Sequence, residues 1–241
     1  MYGRLFRAVQ AIGNPDGTFV QPPTFKRNAF STKIGYGTEN NFVDLIMLKG
    51  HDDENSINYT TTEAEITPAE NLVVGIYSKQ QFLEKFRFEL ELAQSLYTSN
   101  INTVQPDTID EGTLIKPFSS MVNHKNSSTT YSSALETSLG YEQEQLGLRV
   151  KFRKVDPNYQ SMGSYFFQND LRNITLEPHA KFFNSALQAS GSYGYQTDNL
   201  DGARESTTKR KIGSLNVSGR LGEKYTGNIF YSNYDIGQAA G

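Results

Sequence analysis

The sequence predicts an all-β chain: an antiparallel, up-and-down meander of about eleven long strands, amounting to part or most of a transmembrane β-barrel. Three observations carry this. Apolar and polar residues alternate with a period of two over stretches of about ten residues, as at Phe82–Leu96. Connections of about two to five residues alternate with connections of about ten to thirty. Gly, Tyr and Phe are abundant, with 20, 14 and 15 copies, while Trp is absent and the hydrophobic share is only 37%. Barrels in outer membranes have short turns on one side, long loops on the other, and strands that face lipid and lumen in alternation.

The strands are read in order along the chain. Arg4–Ile12 opens the series, and Phe30, Thr32, Ile34 and Tyr36 then oppose Ser31, Lys33 and Gly35. Phe42–Lys49 and Leu72–Lys79 are apolar on both faces in part. In Phe82–Leu96, Phe86, Phe88, Leu90, Leu92 and Leu96 share one face, and Lys85, Arg87, Glu89 and Glu91 the other. A helix would mix these two sets. A tilted membrane strand needs about nine to eleven residues, against about five or six for an average soluble strand.

Leu135–Tyr141 and Leu146–Val155 follow; in the second, Leu146, Leu148, Val150 and Phe152 oppose Arg149, Lys151 and Arg153. An Arg or Lys facing lipid costs about 2–4 kcal/mol at the bilayer midplane, so the aliphatic row is the one expected against lipid. Ile174–Phe182, Leu187–Tyr195, Leu215–Leu221 and Tyr225–Tyr234 complete the count. Tight connections are expected near Gly37–Asn41, Ser78–Gln81, Glu142–Gln145, Asn184–Ser185 and Gly222–Lys224. Long ones are expected at Gly13–Pro23, Gly50–Asn71, Thr98–Tyr131, Asp156–Leu171 and Gln196–Thr208. The odd strand count leads us to expect one barrel segment spanning residues 1–241, incomplete at both ends, with remaining strands supplied by a parent barrel.

Composition narrows the function. A net charge of −3 and a pI near 5.7 provide no basic field for nucleic acid. The lack of cysteine removes disulfides, thiolate metal sites and cysteine nucleophiles together. No run approaches the 18 or more apolar residues of a membrane helix.

Lys85, Arg87, Glu89, Glu91, Arg149, Lys151 and Arg153 are the expected lumen lining. The uniform sign of the last three suggests a track for anions. His51, Asp52, Asp53 and Glu54 sit where carboxylates could hold Ca²⁺, with Asp198, Asp201 and Glu205 as a looser set, though a solvated acidic loop explains both. His124 lies in the longest connection, and His179 on a polar strand face. No G-x-S-x-G, H-E-x-x-H or phosphate-binding glycine loop is present, so no enzyme, cofactor or catalytic residue is expected. The Asn-x-Ser/Thr sites at Asn58, Asn126, Asn173 and Asn216 match a common pattern without further meaning here. Tyr36, Tyr77, Tyr97, Tyr141, Tyr193, Tyr195, Tyr225 and Tyr231 lie toward strand ends, where amphipathic rings meet lipid headgroups; β-propensity alone would also enrich them.

The block Lys154–Leu176 and the Thr-Pro-Ala-Glu-Asn run at Thr67–Asn71 resemble segments of large outer-membrane β-barrel proteins of the Bacteroidota. The resemblance implies an integral outer-membrane protein of Gram-negative type and brings no catalytic residues with it. Together these readings lead us to expect a porin-like passive channel or translocation component, with lipid around it and a solute or polypeptide inside. The competing expectation is a non-conducting surface anchor whose loop Thr98–Tyr131 contacts a partner or polysaccharide.

Overall fold

In the computed structural model, which describes residues 1–13, 19–58, 66–104, 111–164, 168–222 and 224–240, one sheet of eleven antiparallel strands dominates. Its members are β1 (Tyr2–Phe6), β4 (Lys26–Gly37), β5 (Asn41–Asp53), β6 (Glu70–Phe82), β7 (Phe86–Thr98), β8 (Thr129–Glu142), β9 (Leu146–Val155), β10 (Leu171–Phe182), β11 (Leu187–Asp198), β12 (Ser206–Leu221) and β13 (Tyr225–Ala240). They pair strictly in that order, each strand with the next. The sheet is open, with β1 and β13 as its edges. The short β2 (Ile12–Gly13) and β3 (Phe19–Gln21) form a separate ribbon.

The alternation of short and long connections holds throughout. The tight ones are 38–40, 83–85, 143–145, 183–186 and 222–224; the long ones are 7–25, 54–69, 99–128, 156–170 and 199–205. Parts of the first four long connections lie outside the described residues. The last is shorter than expected, because β11 and β12 extend toward each other and pair up to Thr197 and Lys209.

Two boundaries differ from the sequence reading. Arg4–Ile12 is not one strand: β1 slips register between Arg4 and Phe6, Val9 makes a lone bridge to Thr24, and Ile12 joins the small ribbon. The period of two fails there, at Leu5-Phe6 and Ala8-Val9, so one face is never specified. The tight turn expected at Ser78–Gln81 falls instead at 83–85, where Leu83 and Glu84 take φ values of 50° and 57°. Left-handed backbone is ordinarily written with Gly or Asn, so Leu and Glu concealed the turn. Phe82 therefore ends β6, opposite Phe86.

Directly opposed residues of an antiparallel ladder lie on the same face, so the register sorts the whole sheet into two surfaces. One row runs Ile34, Leu45, Ile76, Leu92 and Leu135; another runs Phe88, Leu139, Val150, Leu176 and Tyr193. The opposite surface carries Lys33, Asp44, Lys79, Arg87, Glu89, Glu91, Glu136, Arg149, Lys151, Arg153, Glu177 and Lys181. On the apolar surface of β4 to β13, no Asp, Glu, Lys or Arg occurs between the tight turns and the level of Lys49, Lys154, Arg172 and Lys211. That charge-free stretch is about eight to ten residues per strand. At about 3.3 Å per residue and a tilt near 40° it stands about 20–25 Å tall, close to the apolar band of a transmembrane barrel.

Candidate functional site: a charged wall, an uncovered apolar band and two folded-back loops

Except at its upper margin over β5 to β7, where Val74 is buried beneath a loop, the apolar band is not covered by protein. Leu139, Leu148, Val150, Ile174, Leu176, Leu215 and Ile229 are all exposed, and Phe86 and Phe88 are only half-buried. Along its lower margin every tight hairpin contributes an aromatic ring to this surface. Tyr36 precedes 38–40, Phe82 and Phe86 flank 83–85, Tyr141 precedes 143–145, Phe182 precedes 183–186 and Tyr225 follows 222–224. Phe82 and Phe86 stack at 5.3 Å, and Phe86 meets Tyr141 at 5.1 Å; Tyr36 is 91% exposed. Of the expected tyrosines, Tyr36, Tyr141 and Tyr225 belong to this rim, which phenylalanines complete; Tyr193, Tyr195 and Tyr231 lie higher on the same surface. Tyr77 and Tyr97 point to the charged surface, opposite Glu91 and beside Arg27 and Asp52 respectively.

Arg87, Glu89, Glu91, Arg149, Lys151 and Arg153 share the charged surface. Lys85 does not join them, since it stands in the tight turn rather than on β7. The apparent positive row is also compensated. Lys151 Nζ pairs with Glu177 Oε1 at 2.9 Å, Arg153 Nε lies 3.8 Å from Glu136 Oε2, and Arg149 is flanked by Gly140 and Glu177. Neighbouring strands supply the carboxylates, which a strand read alone does not reveal, so the anion track becomes a mixed-charge wall. Arg87 and Arg149 border a hollow of about 380 Å³ that also meets His179, whose Nε2 lies 3.0 Å from Glu142 Oε1.

Two long connections fold back on the sheet, one on each surface. Residues 156–164 lie over the upper charged wall. Tyr159 is buried with Val155 and Leu171 against Ala93 and Ala134, Ser95 Oγ donates to the Gln160 carbonyl at 2.7 Å, and the Met162 amide donates to Asn71 Oδ1 at 3.0 Å. Met162 rests on Gly50, where even a Cβ would lie 2.7 Å from its sulfur. Burial, with the nearby Glu91 charge, pushes the Tyr159 phenol up to about 12. This segment covers the charged surface at its long-loop end.

The connection 99–128 covers the other surface over β5 to β7, at the upper margin of the apolar band and above it. Ile115 and Val122 pack on Leu72, Val74 and Leu96, and Gln94 Oε1 accepts the Leu114 and Ile115 amides at 3.1 and 3.0 Å. A short 3-10 turn, Lys116–Met121, presents Phe118 and Met121 to the same cluster. The described part of this connection is docked on its own sheet rather than extended toward a partner; 105–110 lie outside the described residues.

The acidic candidates disperse. Asp52 turns to the charged surface and takes a two-pronged contact from Arg27 at 2.7 and 2.9 Å, whereas Asp53 faces the other way, pairs with Lys26 and caps the turn Glu54–Ser56. Asp198 accepts the Thr208 amide and Asp201 the Ala203 amide, so both serve turn geometry. Asp170, which spacing did not single out, is the buried carboxylate of that region and pairs with Arg204 at 2.9 Å. His51 leaves its acidic neighbours and instead meets Glu70 and His124. No helix among the described residues is long and apolar enough to cross a membrane, which says nothing about crossing by strands. No protein-family model, curated protein or solved structure matches the chain.

Asp156 ties the loop over the charged surface to β8. Burial alone would raise its carboxyl, but hydrogen bonds from Ser133 Oγ, Lys154 and the Ser133 amide, with the Lys154 charge, outweigh burial and hold it below the usual carboxylate value. A depressed carboxyl stabilises the fold above its unfolded value of about 3.9, and that contribution disappears as pH falls through the folded value. Hydrogen exchange of residues 156–164 should therefore quicken below about pH 4, and Asp156→Asn should remove that acid-dependent step while raising exchange at neutral pH.

Proposed function

We propose that this chain forms the wall of an integral outer-membrane β-barrel of Gram-negative type, whose mixed-charge surface lines an aqueous lumen for passive passage of solutes or polypeptides. The observation that carries this is the pairing of a charge-free band, uncovered save at its upper margin over β5 to β7, with an aromatic rim on all five tight hairpins. A soluble sheet would place a second layer against that band. An aromatic girdle at the lower margin is what interfacial lipid favours. Strands of 12 to 16 residues such as β4, β12 and β13 exceed the requirement for crossing, so their upper ends stand clear of lipid, where the charges and folded-back loops begin. Further strands against β1 and β13 would close the barrel and satisfy their open backbone groups. The resemblance to large outer-membrane barrels of the Bacteroidota points the same way.

A second reading draws on the loop 156–164. By lying across the charged wall it reduces the mouth, which suits a non-conducting barrel that anchors or binds at the cell surface.

Because the chain has no cysteine, single labels can be placed without background. Spin labels at Val150→Cys and Leu176→Cys in bilayers should be accessible to oxygen dissolved in lipid, and labels at Lys151→Cys and Thr175→Cys to a water-soluble nickel chelate. Uniform accessibility along 148–153 would reject the two-sided wall. In planar bilayers the channel reading expects conductance with weak ion preference, which the double substitution Arg149→Glu and Arg153→Glu shifts toward cations by several-fold. A silent bilayer with correctly inserted protein would favour the anchor.

A further inference from the structure

Of the chain's three histidines, two are brought together at one point although they lie far apart in sequence. His51 is near the upper end of β5, and Glu70 begins β6 directly opposite it. His124 arrives from the connection 99–128, held in place because the nearby Val122 is buried in the cluster with Leu72 and Leu96. The ligand atoms of His51, Glu70 and His124 all lie within 4.8 Å of one another. The imidazoles stack, with centroids 6.1 Å apart and planes inclined by 17°. Glu70 is completely buried.

The carboxylate is divided between two duties. Oε1 takes Lys49 Nζ and the Asn123 amide, while Oε2 accepts the His124 amide at 3.0 Å and lies 3.2 Å from His124 Nδ1. His51 makes no side-chain hydrogen bond among the described residues; its recorded contact is the stacking on His124. Lys49 and the backbone amides thus already secure the carboxylate without His51. A hydrogen bond between Glu70 and His124 alone gives no reason for a second imidazole at this spot.

We propose that His51, His124 and Glu70 Oε2 bind a single transition-metal dication of the zinc class, fastening the connection 99–128 to the outer wall of the sheet. Two imidazoles and a carboxylate are a ligand set that Zn²⁺, Cu²⁺ and Ni²⁺ favour, whereas Ca²⁺ and Mg²⁺ prefer oxygen alone. In a tetrahedral site with bonds of about 2.0–2.1 Å, neighbouring ligand atoms stand about 3.3 Å apart. The spacing between His124 Nδ1 and Glu70 Oε2 already matches that edge, and His51 needs only a small ring adjustment. Both histidines are partly open to solvent, which gives the ion access and leaves room for water as a fourth ligand. Lys49 stays on the far carboxylate oxygen. The site lies above the charge-free band, so it goes beyond the barrel reading and does not depend on a conducting lumen.

The test uses the tag-free full chain and Zn²⁺ itself. Equilibrium dialysis should find one ion per chain, with affinity falling about tenfold or more in His51→Gln and in His124→Gln but unchanged in His179→Gln. With Zn²⁺ bound, tryptic cleavage after Lys125 should slow several-fold. Should the glutamine variants fold poorly, Co²⁺ added to the unaltered chain decides the matter, since tetrahedral nitrogen and oxygen ligation gives a visible absorption band that Zn²⁺ abolishes. Absence of that band, or Zn²⁺ affinity retained in the His51→Gln, His124→Gln double variant, overturns the site.

Discussion

The exclusion of charge from one surface is the constraint on which the rest of the structure depends. Each strand from β4 to β13 must keep its ionic groups on the other side for about eight to ten residues above its tight turn, and the long sequential ladder preserves that segregation because cross-strand partners share a face. A register slip of one residue at any ladder would carry a whole row of charges through the sheet. Where the alternation is weak, as at Leu5-Phe6, the long strand does give way to a bulge, a bridge and a ribbon.

The same segregation determines what the two long loops do. At the upper margin of the band the apolar surface carries Leu72, Val74 and Leu96, and exposing these to water would be costly; Ile115, Val122 and Phe118 cover them. On the charged side, Asn71 Nδ2 donates to Ser95 Oγ and to the Leu96 carbonyl, and its Oδ1 receives the Met162 amide. A buried amide satisfied at both ends fixes the loop more specifically than apolar packing does. One connection therefore covers part of the apolar surface and the other part of the charged surface. In the reading proposed here, permeation and surface binding meet at that inner segment.

Much of this was legible in the residues, and the exceptions have physical causes. Strand number, the strict alternation of connections and the opposition of Leu148 and Val150 to Arg149, Lys151 and Arg153 follow from period-two patterning, which is local. The turn at Leu83 and Glu84 was hidden because neither residue advertises left-handed backbone. The compensation of Lys151 by Glu177 and of Arg153 by Glu136 was hidden because strand register is non-local. His51 read as part of an acidic run because sequence neighbours on a strand face opposite ways; its partners Glu70 and His124 come from the adjacent strand and a distant loop. The aromatic rim could have been found by asking for any ring next to every tight turn rather than for tyrosine alone.

The central claim is that the charge-free surface meets hydrocarbon while the charged one meets water. Reversible denaturant unfolding of Val150→Arg and Lys151→Leu in lipid bilayers tests it most directly. The account predicts a loss of about 2–4 kcal/mol for Val150→Arg, but for Lys151→Leu only a small change from losing the half-exposed pair with Glu177. Equal tolerance of both, or a larger loss for Lys151→Leu, would contradict it.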